Sequence, residues 1–203
     1  DNVIANCNLL NQITFESSSI SFRKYISEGI KSITVIGNIK IGQMFKRNKS
    51  LEKIVLYLSS SIESIENESF QGCSSLKEIY ISSSYTSIED YAFSDCSSLL
   101  EIEIPSVVKS IGKSAFLGCC SLTKLLIPPI LTTIENSVFK NCSSLTEIII
   151  PSSVTSIKEF AFTQCSSLKK ISIPSSISTI EAYAFMKCSS LLKVSFENPC
   201  SIT

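Results

Sequence analysis

The sequence predicts a solenoid, one chain wound into equal coils that stack on a shared core. Three observations predict it. Cys73, Cys96, Cys119, Cys142, Cys165 and Cys188 recur at steps of 23 residues. Phe70, Phe93, Phe116, Phe139, Phe162 and Phe185 keep the same step, and so do Leu76, Leu99, Leu122, Leu145, Leu168 and Leu191. Each unit also repeats one internal order, C-S-S-L-x-x-I-x-I-P-S-S-V-x-S-I-x-x-x-A-F-x-x. A fixed short period is the mark of repeat architectures, because one such unit cannot bury its apolar side without neighbours.

The unit opening at Cys165 shows the elements in order. Leu168, Ile171 and Ile173 read as a short strand, with Ile171 and Ile173 facing one way and Lys170 and Ser172 the other. Pro174 stops the strand, since proline has no N–H to continue a ladder. Ser175-Ser176 is turn chemistry, and Ile177 and Ile180 point inward again. Glu181-Ala182-Tyr183-Ala184-Phe185 favours a helical turn with Ala184 and Phe185 packing down. Cys188 closes the coil. Strands of successive coils then pair about 4.8 Å apart, and inward residues line up in files. Files demand fixed spacing, which accounts for the strict period.

One array is expected over residues 1–203: degenerate repeats over 1–44, regular repeats over 45–187, and a truncated final repeat over 188–203. Near the start, Leu10, Ile13 and Phe15 follow Cys7 in phase, and Ile30, Ile33 and Val35 suggest a second strand. Ser17 to Gly29 fits no register. Atypical terminal repeats are normal in solenoids. Phe45 to Phe70 is 25 residues, and the extra two are placed at Tyr57-Leu58. Asn48 stands in the cysteine slot, where its amide can bond turn backbone. The unit begun at Cys188 breaks off in mid-repeat, which reads as a piece of a longer array. No signal peptide is visible from Asp1.

Charge excludes some partners. Lys and Arg number 18 and so do Asp and Glu, so no basic excess points to nucleic acid. No apolar run is long enough to span a membrane. With His absent, the usual catalytic base is missing, and the charged residues recur at repeat positions as a solvated face would. The six cysteines in register read as a buried column rather than disulfides, and no C-x-x-C pair suggests zinc. Cys120 replaces a motif serine, and Cys200 falls in a serine turn as an exposed thiol. No cofactor and no metal are expected. Three N-x-S matches start at Asn48, Asn67 and Asn141; Asn48 should face inward, while Asn67 and Asn141 are open to glycosylation.

The run Leu-x-x-Ile-x-Ile-Pro-Ser-Ser-Val-x-Ser-Ile followed by Ala-Phe-x-x-Cys-Ser-Ser-Leu resembles the BspA-like (Treponema pallidum-type) leucine-rich repeats, from about Phe45 onward. The resemblance implies a leucine-rich repeat solenoid: a right-handed superhelix, mainly β with short helical turns, and a parallel sheet on its concave face. It also implies a non-catalytic module, cell-surface or secreted, that adheres to extracellular-matrix or host-cell surface proteins. An intracellular scaffold and a self-associating array are the alternatives.

The repeat itself assigns the outward strand positions. These are Glu78 and Tyr80, Glu101 and Glu103, Lys124 and Leu126, Glu147 and Ile149, Lys170 and Ser172, Lys193 and Ser195. Ten of them form the candidate protein-binding set: Glu78, Tyr80, Glu101, Glu103, Lys124, Leu126, Glu147, Ile149, Lys170 and Lys193. The face should run from acidic at Glu78–Glu103 to basic at Lys170–Lys193. Exposed aromatic and aliphatic side chains on a flat sheet suit partner contacts. The bland reading is an ordinary solvated sheet whose polar residues drift.

Overall fold

Inward files shape the molecule, and they run through all the regular coils of the computed structural model, which describes residues 12–17, 29–37, 40–57 and 63–197. One strand per coil builds the principal sheet: β1 (Gln12–Ser17), β2 (Ser32–Gly37), β3 (Lys53–Tyr57), β5 (Glu78–Ile81), β7 (Glu101–Ile102), β9 (Lys124–Leu125), β11 (Glu147–Ile149), β13 (Lys170–Ile173) and β15 (Lys193–Phe196). Strand pairing is parallel throughout, in the runs β1-β2-β3-β5, β7-β9 and β11-β13-β15. Single backbone bonds cross the breaks: Leu100 donates to Lys77 (3.5 Å) and Thr146 to Thr123 (3.5 Å). The Ser-Ile or Thr-Ile dipeptides later in each coil make a second, narrow sheet in two three-stranded runs. These are β4 (Ser64–Ile65), β6 (Ser87–Ile88) and β8 (Ser110–Ile111), then β10 (Thr133–Ile134), β12 (Ser156–Ile157) and β14 (Thr179–Ile180).

Register shows how regular the winding is. Gln12 pairs with Ser32, a step of 20; Ser32 with Lys53, a step of 21; Lys53 with Glu78, a step of 25. Glu101 pairs with Lys124 and Glu147 with Lys170, both steps of 23. The two early strands expected from Ile13 and from Ile33 and Val35 are therefore β1 and β2. The two extra residues enter after Leu56, which still pairs with Ile81, and before Ser64, which pairs with Ser87. Tyr57 remains in β3. Leu58 to Ile62 lie outside the described residues, as do Cys7 to Leu10, most of the unregistered stretch after Ser17, and Cys200 with its turn.

β13 ends at Ile173, directly before Pro174 as the repeat requires, whereas β7, β9 and β11 stop one or two residues short of that place. Pro151 and Pro174 accept turn-closing bonds from Val154 (3.0 Å) and Ile177 (3.1 Å). The chain then reverses into the second sheet.

The expected helical turn before each cysteine is not a helix; none occurs among the described residues. Alternate N–H groups leave the coil. Phe70 donates to Ala92 at 2.8 Å, whereas Gln71 closes on Glu68 at 3.1 Å. Phe162 donates to Ala184 at 2.8 Å, whereas Thr163 closes on Phe160 at 3.1 Å. A helix needs all of its N–H groups within its own segment. Two left-handed residues per coil turn the others outward: Glu68, Tyr91, Phe160 or Tyr183 two before the phenylalanine, and Gly72, Asp95, Gly118 or Asn141 before the cysteine. Glycine, Asp and Asn suit that second position, since they tolerate positive φ best. Local helix propensity loses to a ladder that is continuous from coil to coil.

Inside, the phenylalanines stack from Phe45 to Phe185 with neighbouring ring centroids 5.2–5.8 Å apart and planes within 18° of parallel. Such pairs add about 0.5–1.5 kcal/mol each beyond their burial. The cysteine column is present as expected. Each thiol donates to the phenylalanine carbonyl of the coil before: Cys96 to Phe70 (3.2 Å), Cys119 to Phe93 (3.2 Å), Cys165 to Phe139 (3.2 Å). All the described cysteines are free. Asn48 is buried in the same slot, and its Oδ1 accepts from Ser50 (2.9 Å) and Leu51 (3.0 Å).

Candidate protein-binding face

Alternation along each principal strand buries one side chain and exposes the next. Ile79, Ile102, Leu125, Ile148 and Ile171 go to the core. Glu78, Tyr80, Glu101, Glu103, Lys124, Leu126, Glu147, Ile149, Lys170 and Lys193 are all exposed, as the repeat required. Tyr80, Leu126 and Ile149 are 56%, 60% and 69% exposed, a high cost in wetted apolar surface for a face without a partner.

Six of the ten come together. Glu78, Tyr80, Glu101, Glu103, Lys124 and Leu126 line one depression of about 920 Å³ over β5, β7 and β9. Glu147, Ile149, Lys170 and Lys193 continue the same face on β11, β13 and β15, outside the depression. Two exposed apolar lining residues escaped the sequence reading. Leu100 is exposed where the equivalent places hold Lys77, Thr123, Thr146, Lys169 and Leu192, and Val107 is exposed at the rim. The doubled Leu99-Leu100 was the available signal.

Ion pairs run between rungs and temper the expected charge gradient. Lys53 binds Glu78 at 2.7 Å, Lys77 and Lys31 bind Glu52 at 2.7 and 3.1 Å, and Lys170 lies 3.9 Å from Glu147. The hydrogen bond from Lys77, then that from Lys31, holds the Glu52 carboxyl below the usual carboxylate range. The hydrogen bond to Glu78 holds the Lys53 ammonium above its usual value. These pairs are exposed, so each is worth little in stability. Lys53 Nζ also sits over the Tyr80 ring, 5.2 Å from its centroid, a cation–π contact on one face of that ring. Glu101 and Glu103 have no ion-pair partner among the described residues.

Other sequence candidates settle elsewhere. Burial pushes the Cys73 thiol up to about 12 and holds the thiols of Cys96, Cys119, Cys142 and Cys165 well above the usual thiol range, so they are protonated and inert. Among the described residues no group of three or more His, Cys, Asp or Glu could hold a metal, and no helix is long and apolar enough to cross a membrane. Asn67 is exposed and accepts the Asp90 N–H at 3.0 Å; Asn141 is half-buried and touches Cys120 Sγ at 3.5 Å.

The family model for BspA-type leucine-rich repeat regions matches the chain in six copies, over residues 1–97, 39–128 and 109–203. Among solved structures, a leucine-rich repeat protein of T. pallidum is 22% identical, with a TM-score of 0.69 over 90% of this chain and 78% of that one. One from Eubacterium ventriosum is 23% identical, with a TM-score of 0.66 over 92% of this chain and 61% of that one. One from Bacteroides ovatus is 23% identical, with a TM-score of 0.62 over 94% of this chain and 64% of that one. At these identities the likeness speaks for the fold. The chain spans under two thirds of the length of the last two. No curated protein matched the sequence.

Proposed function

Because the chain belongs to the BspA-type leucine-rich repeat family, we propose that it is a non-catalytic protein-binding module, displayed at a cell surface or secreted, that adheres through the outer face of its principal sheet. The fold is one that serves protein interaction. The observation that carries the choice of face is the depression over β5, β7 and β9, where Tyr80 and Leu126 stand exposed. Rigid apolar anchors in a concave, pre-formed surface lower the ordering cost of binding. Extracellular-matrix or host-cell surface proteins are the partners the family resemblance favours, and the contact would span several coils, so that modest contacts add.

Surface plasmon resonance against a panel of immobilised matrix proteins tests the reading. Binding by the unaltered protein should fall at least tenfold in the double variant Tyr80→Ala, Leu126→Ala, with the thermal transition unchanged. Undiminished binding by that variant removes this face from the proposal. Display is tested separately by biotinylating intact cells that express the full-length protein; a protein left unlabelled until lysis is an intracellular scaffold instead.

A further inference from the structure

We infer that the depression accepts a partner segment with a cationic side chain, arginine above lysine, between apolar ones. The inference rests on the reading that this face binds protein. It starts from an asymmetry among carboxylates on one sheet. Glu52, Glu78 and Glu147 each have a lysine of a neighbouring rung within ion-pair distance. Glu101 and Glu103 have none, although both are exposed and line the concavity. Glu101 at least stands in register with Lys124. Glu103 does not: the equivalent places on the coils either side hold Tyr80 and Leu126, with no cation in its file there.

A carboxylate between two apolar side chains on a concave floor has a defined complement. Water displaced from the floor strengthens attraction to an opposite charge and worsens repulsion of a like one. A guanidinium fits best, because its planar fork engages a carboxylate through two bonds and its face stacks on an aromatic ring. Tyr80 supplies that ring one rung away, with Lys53 over one face of it. Rungs are about 4.8 Å apart, so Tyr80, Glu103 and Leu126 span about 10 Å. The matching motif is therefore short: one cation flanked by apolar residues. An acidic segment would meet Glu103, which has no cation beside it in its file, and Glu101, which has only Lys124 in register with it.

Selection of a displayed random-peptide library on the immobilised protein tests this. Enriched peptides should carry Arg or Lys beside apolar residues, and their affinity should fall at least tenfold on Glu103→Gln, more than on Glu101→Gln. Selection on Glu103→Lys should enrich acidic peptides instead. Peptides that are acidic or uncharged, or no enrichment at all, overturn the inference. Peptides weakened by Tyr80→Ala with Leu126→Ala but indifferent to Glu103→Gln overturn the cation and leave the face standing. Peptides indifferent to all of these bind elsewhere and overturn the face as well. Sedimentation of the full-length protein supplies the remaining arm: a dimer dispersed by Glu103→Gln makes a second copy, with its exposed Lys169 and Lys193, the occupant, and overturns an external partner.

Discussion

Two outer faces ride on the same coils and behave differently. On the principal sheet, the outward places Val55, Tyr80, Glu103, Leu126, Ile149 and Ser172 never repeat a residue type through six coils. On the narrow sheet, Ser64, Ser87, Ser110, Thr133, Ser156 and Thr179 are small hydroxyls without exception. Neither face is held by packing, so packing does not explain the contrast. Some hydroxyls of that face bond within the chain: Ser156 reaches Thr133 Oγ1 at 3.4 Å, and in the adjoining file Thr155 reaches the Thr132 carbonyl at 3.3 Å. The principal face instead carries exposed apolar side chains and two carboxylates, Glu101 and Glu103, without an ion-pair partner among the described residues. Variation on a fixed backbone is what recognition of one partner requires.

Both faces depend on one interior, so the largest effects should erase the contrast altogether. Alkali is the broadest. Below about pH 8.5, the usual thiol range, Cys73, Cys96, Cys119, Cys142 and Cys165 are protonated folded or unfolded, and stability is complete. Above it the unfolded chain ionises while burial keeps the folded thiols protonated, Cys73 up to about 12. The unfolded state then binds fewer protons, and stability falls by about 1.4 kcal/mol per thiol per pH unit, about 7 kcal/mol for the five. Urea midpoints at pH 7, 8, 9 and 10 check this; a midpoint level through pH 10 contradicts a buried column.

Next in size is the ring stack. Phe116 lies 5.4 Å from Phe93 and 5.8 Å from Phe139, fully buried. Phe116→Ala should cost about 3–5 kcal/mol, because the coils on either side cannot close the gap without losing their own pairing. Partner binding should be lost with folding, as a lower urea midpoint. Full stability would mean that coil spacing is set by the backbone ladders alone.

The interior was legible in the sequence for the same reason that it is fragile. A side chain whose neighbours are copies of itself must keep its spacing, so the files of Phe, Leu and Cys announced themselves. The arc before each cysteine did not. Glu181 to Phe185 has helical composition, but Tyr183 has a φ of 59° and the Ala184 carbonyl of that arc accepts from the Phe162 N–H, a tertiary demand that no local window shows. Gly72, Gly118 and Asn141 were the trace of it. On the face, alternation placed the exposed residues correctly. Which of them share a depression, and which carboxylates lack a lysine, depends on side-chain reach between rungs, and Leu100 was marked only by the doubled Leu99-Leu100, which recurs at Leu191-Leu192.

The contrast between the faces sharpens with matched pairs. Tyr80→Ala with Leu126→Ala should lower partner affinity at least tenfold, about 1.4 kcal/mol, and shift stability by no more than about 0.5 kcal/mol. Ser110→Ala with Ser156→Ala on the hydroxyl face should change affinity not at all. Equal losses from both pairs, measured by surface plasmon resonance, would mean that the partner wraps the coil rather than docking on one sheet.

The smallest effect separates holding from contacting. Lys53 bridges Glu78 at 2.7 Å and caps the Tyr80 ring at 5.2 Å, yet it lies outside the depression. Lys53→Met keeps the long stem and removes the charge. An exposed pair of this kind contributes little, so unfolding should barely move. If Lys53 only positions Tyr80 and Glu78, the variant frees one carboxylate, Glu78, that lines the depression. A cationic peptide should then bind as well or slightly better, by less than threefold, and more so at low salt, where exposed charges are least screened. A partner that touched Lys53 directly would bind worse at every salt concentration, and that result would extend the contact surface onto β3.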